Sequence, residues 1–132
     1  MVDRLLHINV RCTDLERSRT FYEQILGLAV GYRPPFQSTG YWLYLDDEPL
    51  IHLTQRSSSE THHAGSGNVD HIAFLAGDLE AARATLRDAG VEFREAVVPR
   101  DGTVQIFVHD PNGVQVELNF SAASSSRTPP TR

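Results

Sequence analysis

The chain has few of the features that mark disulfide-stabilised, membrane-spanning or nucleic-acid-binding proteins. Its 132 residues include a single cysteine, Cys12, which excludes an internal disulfide framework and is typical of a reducing compartment. No apolar run approaches the ~20 residues needed to cross a bilayer. The net charge is −5 and charges of both signs are interspersed, so no basic patch predicts binding to nucleic acid or an anionic membrane.

The remaining composition is that of an ordinary globular domain. Hydrophobic residues make up 40% and charged residues 22% of the chain, which is long enough to bury a real core. Residues 1–7 lack the hydrophobic stretch of a signal peptide, so we expect a cytoplasmic protein. Residues 121–132 are rich in Ser, Pro and Thr and predict a disordered tail.

What the chain does contain is one internal repeat. His7 lies in a short apolar alternation, and His71 lies in a second one in the other half of the chain. Matched positions recur at a nearly constant offset: His7 with His71, Asp14 with Asp78, Gly27 with Gly90, and His52 with Glu117. Three imidazoles and one carboxylate at matched positions are a plausible ligand set for a divalent metal ion.

Hydrophobic periodicity predicts the order βαβββ in each half, and therefore an α+β fold of two tandem modules. Residues 4–12 alternate as a half-buried strand, and Thr13-x-x-Glu16 predicts a capping box that opens a helix ending at Gly27. The other predicted strands are 29–32, 41–45 and 50–54, then 69–75, 91–95, 103–108 and 114–120, with a second helix over 79–89. We expect a single domain over 1–120, with modules of about 4–55 and 68–120 joined by a connector, 56–67, and a curved mixed sheet lining a cleft.

Strand parity places the ligand candidates on the surfaces that would line the cleft. Gln115, Glu117 and Asn119 share one face of the last strand, opposite an apolar row. His52 shares its face with Leu50 and Thr54. Polar residues opposite an apolar row indicate a solvated, functional surface.

Several motifs match one family. They are His7-Ile8-x-Val10, Ser18-x-x-Phe21-Tyr22, Leu26-Gly27-Leu28 and Asp110-Pro111-x-Gly113-x-x-x-Glu117. Over residues 4–120 the chain resembles the vicinal oxygen chelate superfamily, which includes glyoxalase I, methylmalonyl-CoA epimerase, fosfomycin- and bleomycin-resistance proteins and extradiol dioxygenases. The resemblance implies His7, His71 and Glu117 as metal ligands with His52 in the fourth position, and one divalent ion per site: Zn, Ni, Co, Mn or Fe(II).

His52 is the main departure from this pattern, since glyoxalase I usually has Glu there and the epimerase Gln. His52 is either a direct ligand or an acid/base just outside the ligand set, which leaves two histidines and one carboxylate. Glu117 resembles the residue that serves as base in glyoxalases, so Glu117 and His52 are the predicted catalytic residues. Possible substrate contacts on the same faces are Asn9, Arg11, Gln105, Phe107 and Asn119.

The leading functional prediction is a metal-dependent, glyoxalase-like lyase or isomerase that transfers a proton on a small substrate with two adjacent oxygens. A non-haem Fe(II) extradiol dioxygenase is an alternative, although Phe107 stands where such enzymes carry a Tyr. A drug-binding protein of the bleomycin-resistance kind is a third possibility. By resemblance to short members of the superfamily, we expect a homodimer whose metal sites combine His7 and His52 of one chain with His71 and Glu117 of the other.

Overall fold

The computed structural model describes residues 1–61 and 63–122 and contains two four-stranded mixed sheets, each accompanied by one helical segment. The prediction of an α+β fold with two βαβββ modules is confirmed. The chain divides into two compact units, one comprising residues 1–64 and 110–112 and the other residues 65–109 and the chain from Gly113 onward. The predicted disordered tail falls largely on 123–132, which lie outside the described residues.

The first unit holds a sheet in the order β1-β4-β3-β2. Its elements are β1 (Ile8–Cys12), α1 (Leu15–Thr20), a π-helical turn (Phe21–Ile25), β2 (Ala29–Gly31), β3 (Gly40–Leu45) and β4 (Glu48–Gln55). Strand β4 is central, parallel to β1 and antiparallel to β3. Its buried side chains include Ile51 and Leu53, both 0% exposed, so β4 is the core strand of this unit.

The second unit repeats the order, with its sheet arranged β5-β8-β7-β6. Its elements are β5 (Ile72–Leu75), α2 (Leu79–Asp88), β6 (Arg94–Val97), β7 (Val104–His109) and β8 (Gln115–Phe120). The apolar row of β8 is buried as predicted, since Val116 and Phe120 are 0% exposed and Leu118 is 8% exposed. Central strand β8 therefore takes the place that β4 has in the first unit.

Both helices begin at an aspartate from the repeat. The Asp14 side chain accepts a hydrogen bond from the Arg17 amide at 3.1 Å, and that of Asp78 accepts from the Ala81 amide at 2.9 Å. The N-cap residue of the first helix is therefore Asp14, one position later than the predicted Thr13. Gly27 ends the first helical segment at φ +75°, a conformation that costs glycine little.

Two predicted strands begin later than expected. Strand β1 starts at Ile8 rather than residue 4, and β5 starts at Ile72 rather than residue 69, so His7 and His71 each lie just before a strand. Strand β6 is also displaced, to Arg94–Val97 from the predicted 91–95. Each strand is defined by its hydrogen-bonded partner as well as by apolar alternation, and a single sequence does not show where pairing begins. Within the described residues, no helix is long and apolar enough to cross a membrane.

Candidate metal centre

Three aromatic rings stack across neighbouring strands of the first unit. Trp42 of β3 is the register partner of His52 of β4, and on the other side β4 pairs with β1, which His7 precedes. The ring centroids of Trp42 and His52 are 4.0 Å apart with 12° between the planes, and those of His52 and His7 are 3.8 Å apart with 10° between the planes. His52 is therefore held between two rings, and is 7% exposed.

The stack limits what His7 and His52 can bind together. An imidazole nitrogen presents its lone pair in the plane of the ring, so a metal ion lies close to the plane of each ring that holds it. Two face-to-face rings 3.8 Å apart and nearly parallel have no such point in common close to the rings. In this arrangement His7 and His52 do not ligate the same ion.

His52 also has its own partners. Its Nε2 lies 3.0 Å from the Pro49 carbonyl oxygen, which accepts a hydrogen bond from the Nε2–H tautomer. Burial, followed by the neighbouring His7, lowers the pKa of His52, which favours the neutral ring. The ring is thus positioned by Trp42 and Pro49 beside His7.

The second unit brings His71 and Glu117 together. The Nε2 of His71 is 3.7 Å from Glu117 Oε1. The other ring nitrogen, Nδ1, is 2.8 Å from an Asp70 oxygen, and this hydrogen bond is the main cause that raises the pKa of His71, with the Glu117 charge adding to it. A carboxylate on the far side of a histidine ring fixes the ring and turns its other nitrogen toward a metal ion.

Two amides orient the Glu117 carboxylate, which is 6% exposed as a residue. Gln105 of β7 donates to Oε1 at 3.0 Å, and Asn119 of β8 donates to Oε2 at 2.9 Å. These donors stabilise the charged form of a nearly buried carboxylate, which would otherwise be costly to desolvate. Gln105 and Asn119, predicted as substrate contacts, thus lie in the structure as hydrogen-bond donors to Glu117.

The His71 imidazole and the Glu117 carboxylate fit a divalent ion. Two ligand atoms that share an ion at bond lengths of about 2.0–2.1 Å lie roughly 3 Å apart, close to the 3.7 Å between His71 Nε2 and Glu117 Oε1. In residues 1–61 and 63–122, no group of three or more His, Cys, Asp or Glu side chains is placed to hold a metal ion. Each unit therefore holds one pair of predicted ligands, His7 with His52 in the first and His71 with Glu117 in the second.

The remaining predicted substrate contacts have partners within the protein. Asn9 Oδ1 accepts from the Thr54 hydroxyl at 2.9 Å, on the face that strand parity predicts. Arg11 forms a two-point ion pair with Glu60, in which Nε donates to Oε2 at 3.0 Å. Phe107 meets His71 edge-on, with centroids 6.4 Å apart, and the Arg94 guanidinium lies 4.2 Å from its ring centroid.

The sequence analysis did not identify Trp42 as part of the ring stack or Asp70 as a hydrogen-bond partner of His71. Apolar patterning predicts Trp42 as a core or interface residue, but its role as a stacking partner of His52 follows from the β3–β4 register, which a single sequence does not reveal. Asp70 could have been found from its position next to His71, since a carboxylate beside a metal-binding histidine is a common second partner.

Comparison with known proteins agrees with this fold. The model of the Glyoxalase/Bleomycin resistance protein/Dioxygenase superfamily matches residues 4–118. A lactoylglutathione lyase of Neisseria meningitidis serogroup A is 34% identical, with 87% of this chain and 88% of the relative covered. A lactoylglutathione lyase of Salmonella typhimurium is 32% identical, with 87% of this chain and 90% of the relative covered.

The fold of this chain is also similar to that of a fosfomycin resistance protein. A point mutant of FosX from Listeria monocytogenes, solved with Mn(II) and 1S,2S-dihydroxypropylphosphonic acid, superposes with a TM-score of 0.72 at 19% identity. The superposition covers 92% of this chain and 94% of that one. The chain belongs to the Glyoxalase/Bleomycin resistance protein/Dioxygenase superfamily. The predictions of this family and of a glyoxalase-like enzyme are confirmed.

Proposed function

We propose that the protein is a divalent-metal-dependent lyase or isomerase that transfers a proton on a small substrate with two adjacent oxygens. The observation that carries this proposal is Glu117, a nearly buried carboxylate that is 3.7 Å from His71 Nε2 and oriented by two amides. The lactoylglutathione lyases among the relatives support this choice over the dioxygenase and drug-binding alternatives.

The ligands we propose are His7, His71 and Glu117. A bound divalent ion would polarise a substrate oxygen and so acidify a neighbouring C–H bond. Glu117 has two oxygens, each oriented by its own amide donor, so one oxygen can bind the ion while the other accepts the substrate proton. Gln105 and Asn119 hold the carboxylate in place during this transfer.

His52 stands outside the ligand set in this proposal. Its stack with His7 and its hydrogen bond to Pro49 support a positioning role, in which it fixes the His7 ring and can exchange a proton with substrate. Two histidines and one carboxylate leave coordination positions open for a chelating substrate.

We further propose a homodimer in which His7 of one chain meets His71 and Glu117 of its partner. The supporting observation is that each unit holds only part of the predicted ligand set, His7 and His52 in the first and His71 and Glu117 in the second. A shared site would supply the missing ligands from a second copy, as is common in homo-oligomers with two-fold symmetry.

The variants Glu117→Gln and His52→Gln test the roles of these residues, because both introduce the same amide. We expect Glu117→Gln to lower metal-dependent turnover by about 10²–10⁴-fold, the usual contribution of a general base, while lowering metal affinity less. Lactoylglutathione, for which the relatives are named, and 2-oxo carboxylates are the substrates to assay. His52→Gln should keep the metal stoichiometry of the wild type and should lower metal affinity less than His71→Gln does, as measured by metal titration of the purified proteins.

Two results would contradict these assignments. Turnover that survives Glu117→Gln shows that another residue is the base. Loss of metal from His52→Gln, to the same extent as from His71→Gln, shows that His52 is a direct ligand despite the stack.

A further inference from the structure

The first unit contains a cavity of about 600 Å³ beside the histidine stack. This volume lies within the roughly 300–1,000 Å³ of typical small-molecule sites. His7 and His52 line one part of it, and Phe36 and Trp42 line another. Phe36 remains 54% exposed although it is a large apolar side chain, and its ring centroid is 6.2 Å from that of Trp42. The cavity therefore offers an aromatic wall near His7, one of the proposed metal ligands.

The two arginines of the cavity differ in how their charges are compensated. Arg4 forms an ion pair with Glu48, with 2.6 Å between Nη1 and Oε1, and both side chains are largely exposed. Arg33 has no ion pair with any carboxylate in the described part of the chain. The cavity therefore carries one uncompensated guanidinium charge.

Arg33 is held in a fixed position. Its Nη1 donates to the Ser38 carbonyl oxygen at 2.8 Å, and its Nη2 donates to the Ser38 hydroxyl at 3.0 Å. Its guanidinium carbon lies 5.1 Å from the centroid of the Phe36 ring. A guanidinium fixed in this way loses little conformational freedom when it binds an anion.

Arg33 also has unused hydrogen-bonding capacity. A guanidinium carries five N–H donors, of which Ser38 takes two. Within residues 1–61 and 63–122, Nε of Arg33 is the one buried side-chain nitrogen or oxygen that lacks a hydrogen-bond partner. A buried donor without a partner is rare and calls for an acceptor. Nε is closed off from solvent, so an anionic oxygen in the cavity would meet the charge and the N–H groups that Nη1 and Nη2 do not give to Ser38.

We propose that this cavity selects substrates that carry one carboxylate on an apolar, planar body, with Arg33 as the residue that recognises the carboxylate. Phe36 and Trp42 contact the planar body. The substrate's reacting oxygens lie at the His7 end of the cavity, and this last point rests on the proposed function. Arg11 is not the anion-binding residue of this chain, because Glu60 already compensates its charge.

Binding to the metal-free protein tests the proposal. Trp42 is the only tryptophan of the chain, so its fluorescence reports on the cavity. The probes are 3-phenylpropanoate and its neutral counterpart 3-phenylpropanamide, and the measured quantity is the ratio of their affinities. A charge-assisted hydrogen bond predicts a roughly 10- to 100-fold preference of the wild type for the carboxylate.

Three variants separate the role of Arg33 from general changes in the cavity. Arg33→Gln should bring the affinity ratio close to one, and Arg33→Lys should retain part of the preference because the charge remains. Arg4→Gln is the matched control, and since Arg4 is exposed and already paired, the ratio should change by less than about twofold. If a substitution loosens the loop that Arg33 holds, the affinities for both probes change alike. The ratio of the two affinities within one variant is therefore unaffected by such loosening.

A wild type that binds neither probe, or binds both equally, overturns the proposal, as does a preference that survives Arg33→Gln. None of these results depends on metal or turnover. A negative result in the binding experiment therefore does not contradict the proposed role of Glu117. A negative result in the Glu117→Gln experiment likewise does not contradict the recognition of a carboxylate by Arg33.

Discussion

A buried hydrogen bond between Tyr22 and Asp110 should contribute a measurable part of the stability of the first unit. The two residues are 88 positions apart in the sequence, and the phenol hydroxyl lies 2.7 Å from Asp110 Oδ2. Tyr22 is 0% exposed and Asp110 is 4% exposed. Burial, followed by the Asp110 charge, raises the pKa of Tyr22, so the phenol stays protonated and donates to the carboxylate.

The substitution Tyr22→Phe removes this donor and leaves the ring in place. Asp110 still accepts hydrogen bonds from the Asn112 backbone amide at 2.8 Å and from the Asn112 side-chain amide at 3.3 Å. The carboxylate therefore loses one hydrogen bond and keeps these two. Hydrogen bonds to charged groups contribute about 1.5–3 kcal/mol, and we expect a loss of about 2 kcal/mol in the free energy of unfolding. For a chain of this size that corresponds to a fall of roughly 6–10 °C in Tm.

Urea unfolding followed by Trp42 fluorescence measures the effect, because Trp42 lies in the same unit as Tyr22. The matched control is Tyr44→Phe, which removes an exposed hydroxyl that donates to the Tyr32 carbonyl oxygen at 2.6 Å. The control should cost less than about 0.5 kcal/mol, since water replaces an exposed hydrogen bond. If Tyr22→Phe costs no more than the control, with an unchanged m value, the buried pair does not stabilise the unit.

Two further predictions concern charge and assembly. Two hydrogen bonds from Arg83, at 2.6 and 2.9 Å, hold the pKa of Glu95 below its usual value. The pair therefore adds stability above the unfolded-state pKa of about 4.3 and loses it as pH falls through the lower folded value. Glu95→Gln should cost about 0.5–1 kcal/mol at neutral pH and almost nothing near pH 2, and a difference in Tm that stays constant with pH would contradict this. Mixed dimers of His7→Ala and Glu117→Ala chains should have one intact and one doubly damaged metal site if sites are shared, whereas sites within one chain would leave two singly damaged ones.

The repeat in the sequence was sufficient to predict most of the secondary structure. The aspartates Asp14 and Asp78 occupy matched positions and both cap a helix, and strand alternation correctly assigned the buried and polar faces of β8. These features depend on residues close together in the chain, so their physical causes are visible in the sequence. The capping role given to Thr13 failed because two adjacent residues could cap the same helix, and only the backbone geometry distinguishes them.

The sequence also identified four residues suited to metal binding, but it did not show how their side chains are arranged. Alternation places His52 and Glu117 on the polar faces of central strands, whatever the neighbouring strands are. Whether His52 points toward a shared ion or stacks on a neighbour depends on which residue lies opposite in the next strand. That residue is Trp42, and the register between β3 and β4 placed it there.

The sequence by itself determined the fold class and the two-module order, and it predicted the metal-binding residues, because each follows from local periodicity and matched positions. Tertiary structure alone decided three other features: the ring stack that holds His52 against His7, the Tyr22–Asp110 hydrogen bond, and the position of Arg33 in the cavity of the first unit. Each depends on contacts between side chains on different strands or loops. Such contacts depend on strand register, burial and the distances between charged groups, and all three are defined only in the folded chain.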